Sequence, residues 1–521
     1  MKMLLALIVA LLSSPAFSQG AATQPLAPQG NHGDAARCEA LRGGDFSQVP
    51  EAPTQILATG AVAAAGNVPA HCELRGAVMP NVGIVFRLPD NWNGKFFMAG
   101  CGNWCGTIYP HACDDPLRRG YACIQTDAGH VARPEDVNWT DGQWAYNNLQ
   151  AELDYGGRAS HVTAVAGKAI AEAYYGRRPL HSYFWGCSYG GHQAMVLAQR
   201  FPYDFDGIVG GGAPNNLGAL MQQNLWALAN AYRNYRPLFS EADITVLHGA
   251  VLAQCDMDDG VRDGLLSNPN ACAVDPNRLV CRPGQNAGCL SPEIARAAAR
   301  MYSGPVDAQG RRLSAGGWAP GSELFWRRVY RPDGSGLAAL AINYFRYMGR
   351  SPDLGPGWDP ASYDFSQDSR RNDVMEALYA ADNPDLRRFR DAGGRFINYV
   401  GWHDLGTIPA EAIDYYDTTT RTMGGRAATE QFFRMFMIPG ALHCRGGEGP
   451  DQVDFLTYIE AWVERGQAPD MMIGARRDEA GTTLFTRPLY PYPRTPRYRG
   501  SGDVNDASNF SPVEPARPHA R

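Results

Sequence analysis

The sequence predicts an α/β protein in which a mostly parallel sheet packs against helices and is interrupted by a large inserted segment. Between residues 83 and 214, and again after 389, short apolar runs alternate with helix-compatible stretches, as in βαβ units. Residues 215–383 are rich in proline, glycine and aromatic side chains and lack this alternation. A glycine-flanked serine within 186–190 stands between a predicted strand and a predicted helix.

Composition sets the broad class. The 521 residues are 45% hydrophobic and 19% charged, which is enough for one large or two ordinary domains with a sizeable core. The net charge is −6 and no basic run stands out. Both observations argue against nucleic-acid binding and against electrostatic attachment to anionic membranes.

The amino terminus predicts export. Lys2 precedes an apolar stretch at 4–12 that is too short to span a bilayer, and small residues at 16 and 18 favour cleavage after Ser18. Residues 1–18 are therefore predicted to be a signal peptide. Twelve cysteines, an even number, fit an oxidising compartment, so the mature protein is predicted to be secreted or periplasmic.

The remaining chain divides into four parts. The first part of the core is predicted at 19–214, opening with a flexible leader at 19–37. The inserted lid is predicted at 215–383, the second part of the core at 384–510, and a disordered, proline-rich tail at 511–521. The predicted strands are 83–88, 95–99, 121–126, 182–185, 205–214, 395–400 and 432–438, and the clearest helices are 149–175 and 193–200.

A nucleophile is predicted at Ser188. Residues 186–190 read Gly-Cys-Ser-Tyr-Gly, a G-x-S-x-G pattern found nowhere else in the chain. Between a strand and a helix, this pattern forms the elbow that presents a serine hydroxyl at the edge of the sheet. The backbone N–H of Tyr189, at the start of the helix, would be the first donor to a tetrahedral oxyanion.

An acid and a base follow in the expected order. Asp404 comes after the strand predicted at 395–400, and His443 comes after the last predicted strand of the core. The order Ser, Asp, His is that of α/β-hydrolases, in which the aspartate orients the histidine. His403 is a rival base, but it flanks the acid on the strand-end loop.

Cysteines stand directly beside both ends of this triad. Cys187 precedes Ser188 and Cys444 follows His443. If the two cysteines are bridged, their Cα atoms lie about 5.5–6 Å apart, so the serine and the histidine are held in reach of each other. Such a bridge closes a very long loop, and its entropic contribution would be about 2–4 kcal/mol.

The second oxyanion donor is expected in the glycine-rich loop 100–106. Glycines there let the backbone approach a substrate closely, but the pattern does not choose between the N–H of Gly102 and that of Asn103. His130, which follows the strand at 121–126, is predicted to be structural.

A calcium loop is predicted in the lid. Asp256, Asp259 and Asp263 recur within eight residues, and Gly260 and Gly264 follow the last two of them. Ca²⁺ prefers six to eight oxygen ligands, and the carbonyls of Val261 and Leu265 could complete such a shell. The loop lacks the EF-hand pattern, and the alternative is a solvated acidic turn. The ion would be structural, because nothing places it near the catalytic serine.

These features resemble the tannase and feruloyl esterase family of α/β-hydrolases, which also includes enzymes that cleave a terephthalate monoester. The resemblance rests on the Cys-Ser pair at 187–188, the His-Cys pair at 443–444, Asp404, the loop at 256–265 and the tail motifs at 487–493 and 498–503. It implies a hydrolase core, a lid that determines specificity, a structural Ca²⁺ and esters of aromatic acids as substrates.

The resemblance also implies a disulfide framework. The expected pairs are Cys38–Cys72, Cys187–Cys444, Cys255–Cys272 and Cys281–Cys289. Four further cysteines, Cys101, Cys105, Cys113 and Cys123, are additional to the family pattern. They could form one or two extra bridges or, as the alternative, bind zinc.

Specificity is where this chain departs from the pattern. Asp333 stands where terephthalate-cleaving members carry a lid arginine, although Arg327, Arg328 or Arg331 could substitute. Aromatic residues of the lid could line an aromatic-acid pocket or form the lid core, and both readings stay open for Phe325, Trp326, Tyr344 and Phe345. At the carboxyl end, Tyr490 and Pro512 replace a cystine of those members.

The expected function is therefore a secreted serine carboxylic ester hydrolase that cleaves small aromatic-acid esters of the feruloyl or galloyl type through an acyl-enzyme. No organic cofactor is implied, and the expected partner is a small ester. The alternatives are a hydrolase of mono(2-hydroxyethyl) terephthalate, a peptidase on the same fold and a non-catalytic binding protein.

Overall fold

The computed structural model describes residues 34–136, 140–328, 336–370 and 374–515. The predicted signal peptide, the leader up to residue 33, the lid positions Arg331 and Asp333, and the tail from residue 516 lie outside these ranges.

A nine-stranded sheet forms the centre of the described chain, in the order β1-β2-β3-β5-β4-β6-β7-β10-β11. Its strands are β1 (Thr54–Val62), β2 (His71–Val78), β3 (Val82–Pro89), β4 (Lys95–Ala99), β5 (Ala122–Thr126), β6 (His181–Cys187), β7 (Gly207–Gly211), β10 (Arg395–Gly401) and β11 (Phe433–Ile438).

The sheet is mostly parallel, as predicted. Five neighbouring pairs are parallel, from β5–β4 through to β10–β11, and three pairs at the β1 edge are antiparallel. Every residue of β5 and β7 is buried, as expected where helices cover both faces of a sheet. Sequence reasoning missed β1 and β2, because their solvent-facing positions break the apolar runs.

The described helices are α1 (Asp34–Ala40), α2 (Asp114–Arg118), α3 (Leu149–Leu153), α4 (Ala159–Tyr175), α5 (Tyr189–Arg200), α6 (Leu217–Ala231), α7 (Glu241–Cys255), α8 (Pro292–Ser303), α9 (Leu337–Tyr347), α10 (Val374–Tyr379), α11 (Arg387–Asp391), α12 (Pro409–Thr422), α13 (Arg426–Thr429) and α14 (Phe455–Arg465). Among the described residues, no helix is both long and apolar enough to cross a membrane.

One predicted helix is interrupted. The stretch 149–175 divides into α3, a π-helical turn at Asp154–Arg158 and α4. Gly157 inside the turn has φ of 144°, a conformation that residues with a Cβ rarely adopt. A Cβ at this position would also lie 2.7 Å from Val196. The interrupted helix therefore requires a glycine here.

The segment predicted as the lid lies between β7 and β10, which are neighbours in the sheet. Its described residues contribute α6–α10 and a short hairpin, β8 (Tyr232–Arg233) and β9 (Arg236–Pro237), but no strand of the central sheet. Tryptophans Trp226, Trp318 and Trp326 form part of a separate hydrophobic cluster in this segment.

The chain ends in two small antiparallel pairs that the sequence did not predict. They are formed by β12 (Met472–Arg477) with β13 (Thr483–Leu489) and by β14 (Thr495–Tyr498) with β15 (Phe510–Val513). Two local predictions of disorder were wrong. Residues 511–513 pair with β14, and α1 begins at Asp34 inside the predicted leader.

All twelve cysteines form disulfides. The four expected pairs are present: Cys38–Cys72, Cys187–Cys444, Cys255–Cys272 and Cys281–Cys289. The four additional cysteines pair as Cys101–Cys105 and Cys113–Cys123. The zinc alternative was wrong, because a bridged cysteine has no thiolate to offer a metal.

Candidate active site

Ser188 occupies the tight turn between β6 and α5. Its backbone has φ of 64° and ψ of −125°, a strained conformation for a residue with a side chain. The turn is held in place because the N–H of Ser188 donates to the carbonyl of Gly211 at 2.9 Å. The strain coincides with the G-x-S-x-G pattern, as expected for a nucleophile elbow.

The glycines of the motif are required by close backbone contact. A Cβ at Gly186 would lie 2.6 Å from backbone atoms of Gly190, and a Cβ at Gly100 would lie 2.9 Å from the Cα atoms of both. Side chains at these positions would push the loop after β4 away from the elbow. The three glycines therefore bring the 100–106 loop next to Ser188.

Asp404 and His443 are hydrogen-bonded. His443 Nδ1 lies 2.8 Å from Oδ2 and 3.0 Å from Oδ1 of Asp404. The carboxylate is buried and accepts two further N–H groups at 2.8 Å, from Gly406 and Thr407, and the Thr407 hydroxyl at 2.6 Å. Sequence reasoning missed Thr407. The carboxylate is fixed on both oxygens and holds the imidazole by one nitrogen.

The pKa of His443 is raised above the ordinary value of 6.5. Burial by itself lowers the pKa, but the charge of Asp404 and the hydrogen bond to it favour the imidazolium and outweigh burial. Because Nδ1 faces Asp404, Nε2 is the nitrogen left to accept a proton. The side chain is 32% exposed, whereas that of Asp404 is fully buried.

The Cys187–Cys444 disulfide joins the two halves of the site. The two Cα atoms are 5.9 Å apart although the residues are 257 positions apart in sequence. Ser188 and His443, their immediate neighbours, both line one cavity. The Cα separation expected for the bridged cysteines is therefore observed, and the serine and the histidine border the same cavity.

The cavity at Ser188 is small, about 60 Å³. This is below the roughly 300–1,000 Å³ typical of sites for drug-sized ligands. No Asp, Glu, Lys or Arg side chain is found among the described residues of its wall, which are Asn103, Trp104, Ser188, Tyr189, Pro214, Leu217, Leu220, Met221, Asn224, Leu337, Leu340, Gly406, Thr407 and His443.

The 100–106 loop is fixed next to the cavity. The N–H of Cys101 donates to Gln193 on α5 at 3.0 Å, and the Tyr155 hydroxyl donates to the carbonyl of Asn103 at 3.1 Å. Asn103 is in the cavity wall, and Gly102 is not among the described wall residues. Of the two residues left open by the sequence, Asn103 borders the cavity, and the choice between the two amides stays a prediction.

The other two histidines considered are buried, and among the described residues neither has a hydrogen bond to Asp404. His403 has its pKa lowered to about 4 by burial and by the nearby His248, against the opposing charge of Glu323. The pKa of His130 is lowered to about 3 by burial, and its ring stacks on Trp144 with centroids 3.8 Å apart. Both rings are therefore neutral structural groups.

None of the four aromatic residues of the predicted lid is among the described residues of this cavity wall. Trp326, Tyr344 and Phe345 are buried, and Phe325 lines a different groove. That groove also contains Arg327, which is ion-paired with Glu241. A role of these aromatics in an acid-binding pocket stays a prediction, and the side chain of Arg328 lies outside the described part.

A feature missed from the sequence is a run of buried amides on α6. Gln222, Gln223 and Asn224 are 7%, 1% and 1% exposed within an otherwise apolar helix. Burying an amide is costly unless it is hydrogen-bonded. Three successive amides in an apolar helix are a signal that could have been read from the sequence.

The predicted calcium loop is ordered by its own hydrogen bonds. Asp256 accepts the N–H of Gly264 at 2.8 Å, and Asp259 accepts that of Val261 at 3.0 Å. Burial, aided by the charge of Asp263, raises the pKa of Asp256 and raises that of Asp259 to about 6.

The donor chemistry of this loop suits Ca²⁺ only in part. Asp256 and Asp259 are buried carboxylates, but Asp263 Oδ2 faces Arg487 at 2.5 Å, while its Oδ1 accepts the N–H of Leu265. Within the described ranges, no group of three or more His, Cys, Asp or Glu side chains is arranged to hold a metal ion. The predicted ligand set remains a prediction.

The sheet order, the elbow and the Asp–His pair together define an α/β-hydrolase. More narrowly, the family model for tannase and feruloyl esterase matches residues 66–513. The chain belongs to this family and is a carboxylic ester hydrolase.

Known relatives agree with this assignment. The chain is 34% identical to mono(2-hydroxyethyl) terephthalate hydrolase of Piscinibacter sakaiensis, with 92% of each protein covered. It is 30% identical to a probable feruloyl esterase of Arthroderma benhamiae, with 82% of each covered. Among solved structures, feruloyl esterase B from Aspergillus oryzae superposes with a TM-score of 0.80 at 25% identity, covering 92% of this chain and 100% of that one.

Proposed function

We propose that this enzyme is an exported serine esterase that cleaves small esters of aromatic acids, of the feruloyl or galloyl type. The observation that carries the proposal is the arrangement around one cavity. Ser188 stands strained at its edge, and His443 lines the same wall while bonded to the buried Asp404.

In the proposed mechanism, Ser188 Oγ attacks the ester carbonyl carbon while His443 Nε2 takes its proton. Asp404 keeps the imidazole in the required tautomer and stabilises the imidazolium. The imidazolium then protonates the departing alcohol, leaving an acyl-enzyme. Water, deprotonated by His443, attacks that acyl group, and return of the proton to Ser188 releases the acid.

The negative charge on the carbonyl oxygen needs preorganised donors. We assign this role to the backbone N–H of Tyr189 and to that of Asn103, with Gly102 as the alternative. The Cys101–Cys105 bridge and the two hydrogen bonds on this loop would fix the second donor before substrate binds.

The aromatic acid part of the substrate is inferred from the apolar cavity wall and from the named relatives. A second candidate, a terephthalate monoester, is supported by the 34% identity to the hydrolase of that compound. Export is supported by the six disulfides, which persist in oxidising compartments.

We also propose that the 256–265 loop binds a structural Ca²⁺. Asp256, Asp259 and the carbonyls of Val261 and Leu265 would hold it, and Asp263 would join after releasing Arg487. The ion would supply the positive charge that the buried carboxylates lack, and it has no part in the reaction.

The test is hydrolysis of methyl ferulate, methyl gallate, mono(2-hydroxyethyl) terephthalate and 4-nitrophenyl acetate by the wild type and by Ser188→Ala. We expect an aromatic ester to be turned over and Ser188→Ala to lose at least about 10³-fold in kcat, as triads do. A fluorophosphonate should label Ser188 in the wild type. Undiminished activity in Ser188→Ala would contradict the proposal.

A further inference from the structure

One face of α6 leads away from the catalytic residues. The helix follows the loop at Gly212, where a Cβ would lie 3.1 Å from Asp404 Oδ2 and 3.2 Å from His443 Nδ1. The helical residues that line the cavity are Leu217, Leu220, Met221 and Asn224. They occupy positions i, i+3, i+4 and i+7, which places all four on one side of the helix.

This face is apolar near the triad and polar at its far end. Leu217 and Asn224 are separated by about 10 Å along the axis, at 1.5 Å rise per residue. An acyl group whose carbonyl carbon is at Ser188 would lie along the leucines and the methionine. The Asn224 carboxamide would then meet the far end of that acyl group.

The neighbouring amide, Gln223, provides a contrast. It is as buried as Asn224, but it lines a separate cavity of about 20 Å³, together with Thr407 and Glu411. Among the described residues, neither amide atom of Gln223 has a hydrogen-bond partner. Two adjacent buried amides therefore face different cavities, and only that of Asn224 lines the cavity with Ser188.

The described part of the wall offers the far end a carboxamide and no cation. The described wall contains no Lys or Arg, and Arg327 lies in another groove, where it pairs with Glu241. A carboxylate buried without a cationic partner is strongly disfavoured. A neutral hydroxyl or methoxy group is suited to a carboxamide, which both donates and accepts hydrogen bonds.

Resting on the proposed function, we infer that Asn224 is a specificity-determining residue that recognises an uncharged oxygen substituent on the ring of a phenylpropenoyl acyl group. The two-turn length of the face suits an elongated acyl group better than a benzoyl group. The inferred preference is for hydroxylated or methoxylated cinnamoyl esters over esters of a dicarboxylic aromatic acid.

The experiment compares kcat/KM for methyl ferulate, methyl cinnamate and mono(2-hydroxyethyl) terephthalate. The variants are Asn224→Leu and the near-isosteric Asn224→Asp, and the matched control is Gln223→Leu. We expect the wild type to prefer ferulate to cinnamate by about ten-fold, the size of one hydrogen bond. Asn224→Leu should abolish this ratio mainly by losing ferulate activity, and Gln223→Leu should preserve it.

Turnover of 4-nitrophenyl acetate and the melting temperature report whether each variant is folded. If Asn224→Leu is unfolded, Asn224→Asp decides, because its carboxylate cannot donate to the methoxy oxygen of ferulate and should also lower the ratio. A wild type that does not distinguish ferulate from cinnamate, or that prefers the terephthalate monoester, would overturn the inference. So would equal losses in Asn224→Leu and Gln223→Leu.

Failure of the proposed function gives a different result. In that case 4-nitrophenyl acetate would show no Ser188-dependent turnover at all. Ser188-dependent turnover of 4-nitrophenyl acetate without turnover of either cinnamoyl ester would leave esterase chemistry intact and overturn the role of Asn224.

Discussion

At the scale of single residues, the site depends on how firmly its acid is held. Asp404 accepts three hydrogen bonds besides that of His443. Each fixes a lone pair, so the carboxylate cannot turn away when the imidazole becomes charged. The sequence predicted Asp404 and His443 but not Thr407, because a threonine three residues after an acid has no distinctive pattern.

The raised pKa of His443 predicts the pH profile. His443 must be neutral to act as a base, and a raised pKa keeps it protonated to higher pH. Activity should therefore be lost as pH falls through a midpoint above 6.5. The measurement is the pH dependence of kcat/KM for methyl ferulate.

Asp404→Asn is the control for this profile. It removes the charge that raises the pKa, so the midpoint should move down and kcat should fall by about 10⁴-fold. A wild-type midpoint below 6.5 would contradict the ion-pair assignment.

Gly186 gives a second residue-scale prediction. In Gly186→Ala the new Cβ would lie 2.6 Å from the Gly190 backbone, so the elbow must distort. We expect at least about 100-fold loss of kcat, because small misplacements of reacting groups have effects of this size. The matched control is Gly249→Ala on α7, where the new Cβ would meet open space, and it should keep full activity. Equal activity in the Gly186 and Gly249 variants would argue against a tightly packed elbow.

At the scale of elements, the parallel strands were predictable and the edges were not. β4, β5 and β10 were found within one residue, because strands buried on both faces are continuous apolar runs. β1 and β2, and the pairs formed by β12–β15, have exposed positions that interrupt such runs. The break at Gly157 depends on contact with Val196, which local sequence does not encode.

The acidic loop after α7 predicts a response to chelation. If Ca²⁺ binds the folded loop and not the unfolded chain, it raises stability by mass action. EDTA should lower the melting temperature by several degrees, while the folded fraction keeps its kcat.

Asp259→Asn tests the same loop without a chelator. The variant should melt at one temperature with or without Ca²⁺, because a buried ligand is missing. A wild-type melting temperature unaffected by EDTA would remove the calcium assignment and leave a hydrogen-bonded acidic turn.

At the scale of the whole molecule, two distant parts of the chain form one site. The serine was predictable from a local motif and the histidine from its order in the chain. Their proximity was predictable only because cysteines adjoin both. The residues that line the cavity were not predictable. The side chains that α6 and α9 contribute to the wall follow the same sequence pattern as side chains that only pack in a hydrophobic core.

The long-range bridge can be removed. Cys187→Ser with Cys444→Ser should lower kcat by about ten-fold or more, because the loop that carries His443 is then no longer tied to the serine elbow and only Asp404 positions the imidazole. It should also destabilise the fold by about 2–4 kcal/mol. The control is Cys281→Ser with Cys289→Ser, which opens a bridge between residues only 8 positions apart and should leave kcat unchanged. An unaltered kcat in the Cys187/Cys444 double variant would show that the rest of the fold positions the histidine without the bridge.

This same bridge determines what a single proteolytic cut would do to the molecule. A single cut between residues 290 and 383 would place nucleophile and base on separate polypeptides. The two pieces would stay covalently joined through Cys187 and Cys444, and would run as one band on a gel until a reductant was added. An enzyme nicked in this way could persist as a two-chain protein, much as some secreted proteins work after maturation.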